Sequence, residues 1–399
     1  MNVCIYRIPK HDRLWDQLRG LSYPPSSCPS CGNRIFRRDN IPIFGWLKLL
    51  GRCRFCRSRI SPRYPFIELL NGLLFVAVYW CEIPESPFFS PARFSPDGIS
   101  HSETVVWLHL LYAYHMVLIE ALVVASFIDF DLKIIPDGAT LPAMAVGLLG
   151  GAVIGNAYLV PIWVQDPYLV ATMKSILPES IQGFVNAEIR VPAWTSQYPH
   201  WHGLAVSLAG LLVGGGMVWT VRIIGASVLR REAMGFGDVV LMAMIGSFLG
   251  WQPIVVVLFL GAICAVVVVV AGWIFRRYKE IPFGPYLSLA AVIMIVDWKH
   301  IWPFAERIFH FGPLIPVMAL FMAVSLFLSL HAMQLVKRMF GIPLYPAPEW
   351  TEEWTSADQL THHAGEHVDP QQGRWRTEEW PGTTVGRGLS QEQRWRRDD

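Results

Sequence analysis

The chain has 399 residues and a mass of 45.1 kDa; 53% of them are apolar, only 16% are charged, and the mean hydropathy is +0.36. Soluble domains carry roughly 25% charged residues, so an ordinary soluble enzyme, a disordered chain, a collagen-like repeat and a coiled coil are all excluded. Thirty-three basic against thirty-one acidic residues leave a net charge of +2, which points to neither a nucleic-acid binder nor a binder of acidic substrates.

In chain order, residues 1–63 are polar and basic, with thirteen Lys and Arg against three acids. No basic region, apolar core and cleavage site open the chain, so no signal peptide is expected. Apolar segments follow at 66–80, 105–128, 138–158, 203–226, 239–250, 253–275, 285–298 and 313–336. A helix needs about 20 mostly apolar residues to cross the hydrocarbon. The segments at 66–80, 239–250 and 285–298 are short, and are expected to extend into their flanks or to lie partly inside a protein-walled cavity. Residues after 341 are polar and rich in Trp, Glu, Arg, Gln and Gly, and read as a disordered tail. The expected class is an all-α polytopic membrane protein with about eight membrane segments. Its expected organisation is a cytoplasmic loop domain (1–63), a membrane core (64–298), an additional membrane segment (299–340) and the tail (341–399).

Basic residues at segment ends set the orientation. The block 1–63, Lys133, Arg230-Arg231, Arg276-Arg277-Tyr278-Lys279 and Lys337-Arg338 all fall on one side of eight alternating crossings. That side is expected to be the cytoplasm, with both termini on it. Loops 81–104 and 159–202 then face outward.

Four cysteines form two short pairs, Cys28-Pro29-Ser30-Cys31 and Cys53-Arg54-Phe55-Cys56, separated by 21 residues. Each pair places two sulfurs on one ion, and two pairs complete a closed tetrahedral set that suits structural zinc better than iron. Arg52, Arg54 and Arg57 are expected to offset the thiolate charge. The alternatives are unrelated free thiols or redox dithiols.

Carboxylates adjoining membrane segments are costly unless they face water or a partner. Asp129 lies at the end of segment 105–128, and Asp238 follows Gly235-Phe236-Gly237 and leads straight into an apolar run. Gly235 and Gly237 permit a tight turn or a close backbone approach. Two carboxylates brought together divide the roles of acid and base, which is aspartyl peptidase chemistry. On spacing alone, two ordinary interfacial carboxylates are the favoured reading. Asp131 and Asp137 read as interface residues or helix caps. His109, His115 and Glu120 stand six and five residues apart, not on one face, and are expected to border a polar cavity.

The motifs together resemble those of the bacterial type IV prepilin peptidases. They are Asn2-Val3-Cys4-Ile5-Tyr6-Arg7-Ile8-Pro9, the paired C-x-x-C, Asp39-Asn40-Ile41-Pro42, Ile60-Ser61-Pro62-Arg63-Tyr64-Pro65 with Glu68, Ile128-Asp129-Phe130-Asp131 with Ile135-Pro136-Asp137, Gly235-Phe236-Gly237-Asp238, and Ile281-Pro282-Phe283-Gly284-Pro285. They run in the family's order over residues 1–297. The resemblance implies an aspartyl endopeptidase of the inner membrane, with Asp129 and Asp238 catalytic. It would remove the basic leader of type IV prepilins or type II secretion pseudopilins at the cytoplasmic face. It also implies N-methylation of the new N-terminus with S-adenosylmethionine, zinc on the cysteine pairs, and no nucleic-acid partner. Where the family has Lys two positions after the second Asp, this chain has Val240, and it begins inside the family's first motif, where an earlier membrane helix is expected. The competing functions are a catalytically silent zinc-containing membrane scaffold and a transporter.

Overall fold

A backbone crossing lipid must satisfy its own hydrogen bonds, and a helix does so within one segment. The computed structural model describes residues 1–11, 13–83, 101–176, 182, 191–229, 234–274 and 282–341; these are helices and loops, with only two isolated β-bridges among them. The C-terminal tail and the basic runs at 230–231 and 276–279 lie outside the described residues.

The N-terminal region holds three short helices, α1 (Asn2–Arg7), α2 (Leu14–Ser22) and α3 (Phe44–Lys48). Then come α4 (Arg63–Glu82), α5 (His101–Leu132), α6 (Asp137–Ile154), α7 (Pro167–Ile176) and α8 (Trp194–Gln197). The remainder are α9 (Pro199–Leu229), α10 (Phe236–Leu249), α11 (Trp251–Ile274), α12 (Gly284–Val296), α13 (Trp298–Phe309) and α14 (Ile315–Met339). Each expected apolar segment is a helix. Six of them, α4, α5, α6, α9, α11 and α14, are long and apolar enough to cross a membrane.

The other two differ from a simple crossing. Helix α10 has 14 residues, which at 1.5 Å per residue is about 21 Å, against a hydrocarbon core of about 30 Å. It is tolerated because α5, α6, α9, α11 and α12 all pack on it and 11 of its 14 residues are buried. Helix α12 bends by 100° into α13. Amphipathic α13 had no counterpart among the expected segments, because its apolar residues are spaced around a helix rather than gathered in a run. It buries Trp298 and Phe309 while exposing Phe304.

Small residues let these backbones approach. A Cβ at Gly210 of α9 would meet the carbonyl of Gly246 of α10, and one at Gly203 would meet the carbonyl of Gly151 of α6. Residues 1–328 form one compact unit, to which everything below refers. Within it the N-terminal helices lie against the bundle. Gln17 of α2 is buried, accepts the N–H of Gly138 at 2.6 Å and donates to the His11 carbonyl at 2.7 Å, which fastens α2 to the start of α6.

Candidate active site

Asp129 lies one turn before the end of α5. The chain leaves that helix through Lys133, whose φ of 55° is left-handed and whose N–H returns to the Asp129 carbonyl at 2.9 Å. This is a common way to end a helix, and it turns the chain so that Ile135 packs back over the helix end. Two other helices begin at the same place. The Gly284 N–H, at the start of α12, donates to the Asp129 carboxylate. Asp238 is the third residue of α10, and its carboxylate accepts the N–H of Gly235, the residue preceding that helix. A first-turn carboxylate reaching back to the cap N–H is one half of a capping box, and the positive ends of the two helix dipoles favour negative charge here.

Glycine is required at two points by close approach. A Cβ at Gly284 would lie 2.5 Å from Asp129 Oδ2 and 3.1 Å from Ile135 Cδ1, and a Cβ at Gly237 would lie 2.9 Å from Ile135 Cβ. Ile135 is thus the common neighbour of the two helix starts. Asp129 and Asp238 are both buried, at 5% and 9% exposure, and lie within electrostatic range of each other. The arrangement can divide acid and base roles between two carboxylates.

The other singled-out residues lie elsewhere or act differently. Asp131, two residues beyond Asp129, is exposed and forms a two-pronged ion pair with Arg63 of α4 at 2.8 and 2.6 Å. Asp137 is the first residue of α6, following Pro136 at the cap position. Gly235 is the residue before α10, with an extended backbone (φ −66°, ψ 150°). Val240 is half-buried in the second turn of α10.

His109, His115 and Glu120 each meet a different residue of α4. His115 is fully buried and pairs with Glu82 of α4 at 2.5 Å. Glu120 is hydrogen-bonded by Asn71 of α4, and His109 sits 3.4 Å from the Tyr79 hydroxyl. Sequence reasoning missed Glu82, because the expected apolar run ends at 80 and a terminal Glu reads as an interface residue. It also gave no role to Glu68, whose carboxylate accepts from the Asn2 side chain at 3.1 Å and the Ile43 N–H at 2.8 Å. Three of the ordered motifs, around Asn2, Ile41-Pro42 and Glu68, therefore meet at one side chain.

The four cysteines come together. Their sulfurs all lie within 4.8 Å of one another, and none is in a disulfide. Two knuckles with the same hydrogen bonds position them. The Cys28 N–H bonds the Asn33 carbonyl at 2.9 Å, as that of Cys53 bonds Ser58 at 2.8 Å. Gly32 and Arg57 hold equivalent left-handed positions, with φ of 71° and 61°. Burial pushes the Cys28 thiol up, but backbone N–H groups of Cys31 and Ser30 and the Ser58 hydroxyl outweigh it and bring the value down to about 6. This four-sulfur cluster is able to bind a metal ion. Arg54 does not serve the thiolates as expected: its guanidinium pairs with buried Asp39 at 2.5 and 2.6 Å. The Arg54 hydrogen bonds hold the Asp39 carboxyl below the usual carboxylate range, against the opposing effect of burial.

Residues 1–81 match the bacterial peptidase A24 N-terminal domain, and residues 193–271 match the type IV leader peptidase family. A type 4 prepilin-like proteins leader peptide-processing enzyme of Escherichia coli O78:H11 is 30% identical over 276 residues, covering 69% of this chain and 76% of its own. The chain belongs to the type IV leader peptidase family. A prepilin leader peptidase/N-methyltransferase of Aeromonas salmonicida is 29% identical over 317 residues, covering 74% of this chain and 85% of its own. One of Klebsiella pneumoniae is 30% identical over 255 residues, covering 63% and 80%. No solved structure matches the chain. Family membership disfavours the scaffold and transporter readings, and the helices make this a multi-pass membrane protein.

Proposed function

We propose that this leader peptidase cuts the basic leader from type IV prepilins or type II secretion pseudopilins, with Asp129 and Asp238 as its catalytic pair. The observation that carries the assignment is the convergence of three helix ends, which buries the two carboxylates within range of each other beside Gly284. Like charges this close do not ionise together readily. One carboxylate takes a proton from the attacking water, and the other, protonated, donates to the scissile carbonyl oxygen. The roles then reverse as the amine departs.

Arg63 at the start of α4 and Lys133 after α5 support placing these helix ends at the cytoplasmic face of the inner membrane. An apolar substrate helix in the bilayer with its leader in the cytoplasm would bring the scissile bond to that depth. The proposed domains remain 1–63, 64–298, 299–340 and 341–399.

Structural zinc on Cys28, Cys31, Cys53 and Cys56 fits the cluster. Zn–S bonds of about 2.3 Å put the sulfurs of a tetrahedron about 3.8 Å apart, and the Cys28 and Cys56 sulfurs are separated by 3.8 Å. Zinc there would fix the two knuckles and leave no open position for chemistry. N-methylation of the new N-terminus belongs to the same reading, with S-adenosylmethionine supplying the methyl group. A nearby cavity carries two arginines, a poor match for a sulfonium cation, so no residue is assigned to the methyl donor.

Coexpression with a prepilin tests the assignment. Leader removal is expected from the wild type and is expected to vanish in Asp129→Ala and in Asp238→Ala, each still inserted in the membrane. Continued processing by either variant would refute the pair.

A further inference from the structure

The two knuckles share a backbone pattern but differ in what they hold face to face. In the first, Ser27 and Arg34 lie opposite each other across an antiparallel bridge; in the second the opposed residues are Arg52 and Arg59. Directly opposed residues of such a bridge project from the same face, and like charges there repel. Neither arginine has a carboxylate partner among the described residues, and Asp39, the nearby buried acid, is taken by Arg54. Arg52 and Arg59 instead line one cavity of about 530 Å³ with Trp46, Leu50, Gly51, Ile60, Ser61 and Pro62.

Apart from Ser61, the other residues lining this cavity are apolar. The Trp46 indole N–H is satisfied by the Ile60 carbonyl at 3.0 Å. Its ring lies against Gly51, where a Cβ would come within 2.8 Å. Leu50, on the rim, is 83% exposed. Ser61 and Pro62 also line this open cavity, and the next residue, Arg63, begins the membrane helix α4. The two arginines, without a carboxylate partner among the described residues, therefore lie beside the start of a candidate membrane helix, with apolar side chains next to them.

We propose that Arg52 and Arg59 hold the phosphate of an anionic phospholipid headgroup, with Leu50 and Trp46 against the lipid's glycerol and upper acyl region. Guanidinium groups match phosphate oxygens in two-pronged geometry, and an anion between them relieves the repulsion that the bridge builds in. Occupancy fastens the knuckle domain to the membrane surface where α4 enters it. This goes beyond the peptidase reading and does not depend on it.

The test is equilibrium binding to the purified, metal-loaded full chain in nonionic micelles, with dihexanoylphosphatidylglycerol and dihexanoylphosphatidylcholine as probes. The phosphatidylglycerol is expected to saturate one site and the phosphatidylcholine to bind far more weakly. At about a kilocalorie for each basic residue near the surface, Arg52→Gln with Arg59→Gln is expected to weaken binding about thirtyfold. The control pair Arg34→Gln with Arg37→Gln, with the same charge change, should stay within about twofold of wild type. Arg52→Lys with Arg59→Lys should recover only part of the loss, since Lys keeps the charge but not the two-pronged fork, and metal content should be unchanged throughout. Four results would each overturn the proposal. They are equal weakening in the control pair, inorganic phosphate binding as tightly as the lipid, S-adenosylmethionine saturating the site in its place, and loss of metal from the Gln pair, which would make the arginines partners of the thiolates.

Discussion

Replacing Gly284 by Ala separates the geometry of the carboxylate pair from its chemistry. The added Cβ would stand 2.5 Å from Asp129 Oδ2, where ordinary contact begins at 3.4 Å, so the carboxylate must retreat by about 0.9 Å. Its other neighbour, Ile135, is itself held against Gly237 and leaves little room for the strain to spread. A misplacement of about 1 Å at a reacting group reduces turnover on the order of a hundredfold, or about 2.7 kcal/mol in the barrier. The assay is single-turnover leader cleavage by purified protein, with KM and kcat determined separately. The loss should fall on kcat, because Gly284 touches the carboxylate and not the substrate's distant apolar helix. Gly72→Ala is the control, since a Cβ there meets nothing within 4 Å, and it should cleave as the wild type does. Gly284→Ala cleaving within about threefold of the control would refute the claim that Asp129 must sit where this structure holds it.

Three further outcomes follow from the same coordinates. Glu82→Gln and His115→Ala each leave a buried polar partner stranded and should destabilise the protein by about 3–5 kcal/mol, whereas the double change to Leu should cost far less. Thermal unfolding in micelles checks this, with cleavage per folded molecule unchanged. Because the Asp39 carboxyl is depressed by Arg54, its contribution to stability is full above the ordinary Asp value of about 3.9 and is lost as the pH falls through the lower, folded value. Hydrogen exchange of residues 35–60 should therefore stay slow to lower pH in the wild type than in Arg54→Gln; identical acid profiles would remove the pair from the account. Cys28→Ser or Cys53→Ser should release metal and loosen residues 20–63, with a smaller effect on cleavage than losing either aspartate, and wild-type protein purified without zinc would sink the zinc reading.

Much of this architecture is legible in the order of residues. Apolar runs of about 20 mark membrane helices whatever their neighbours, and the C-x-x-C spacing dictates that two sulfurs can meet one ion. Asp129 and Asp238 stand out because each is joined directly to an apolar run. What is not legible is whatever depends on partners distant in the chain. Gly284 belongs to a recognisable motif, yet nothing in Ile281-Pro282-Phe283-Gly284-Pro285 says that its missing Cβ makes room for a carboxylate more than 150 residues earlier. Glu82 looks like a segment end until His115 is found against it. Arg54 looks like a counter-charge for thiolates, and only the fold shows that Asp39 reaches it first. Helix α13 escaped notice because its apolar residues follow the helical period and its mean hydropathy is diluted by the polar face.

The central claim is that Asp129 and Asp238 work as one catalytic unit. Single-turnover leader cleavage by purified Asp129→Asn, Asp238→Asn and the double variant tests it most directly, since Asn keeps the shape of the side chain and removes its charge and proton. Residues acting as a unit are not additive, so each single change should reduce the rate about a thousandfold or more and the double change little further. Either variant retaining a tenth of the wild-type rate, or losses that multiply in the double variant, would contradict the account.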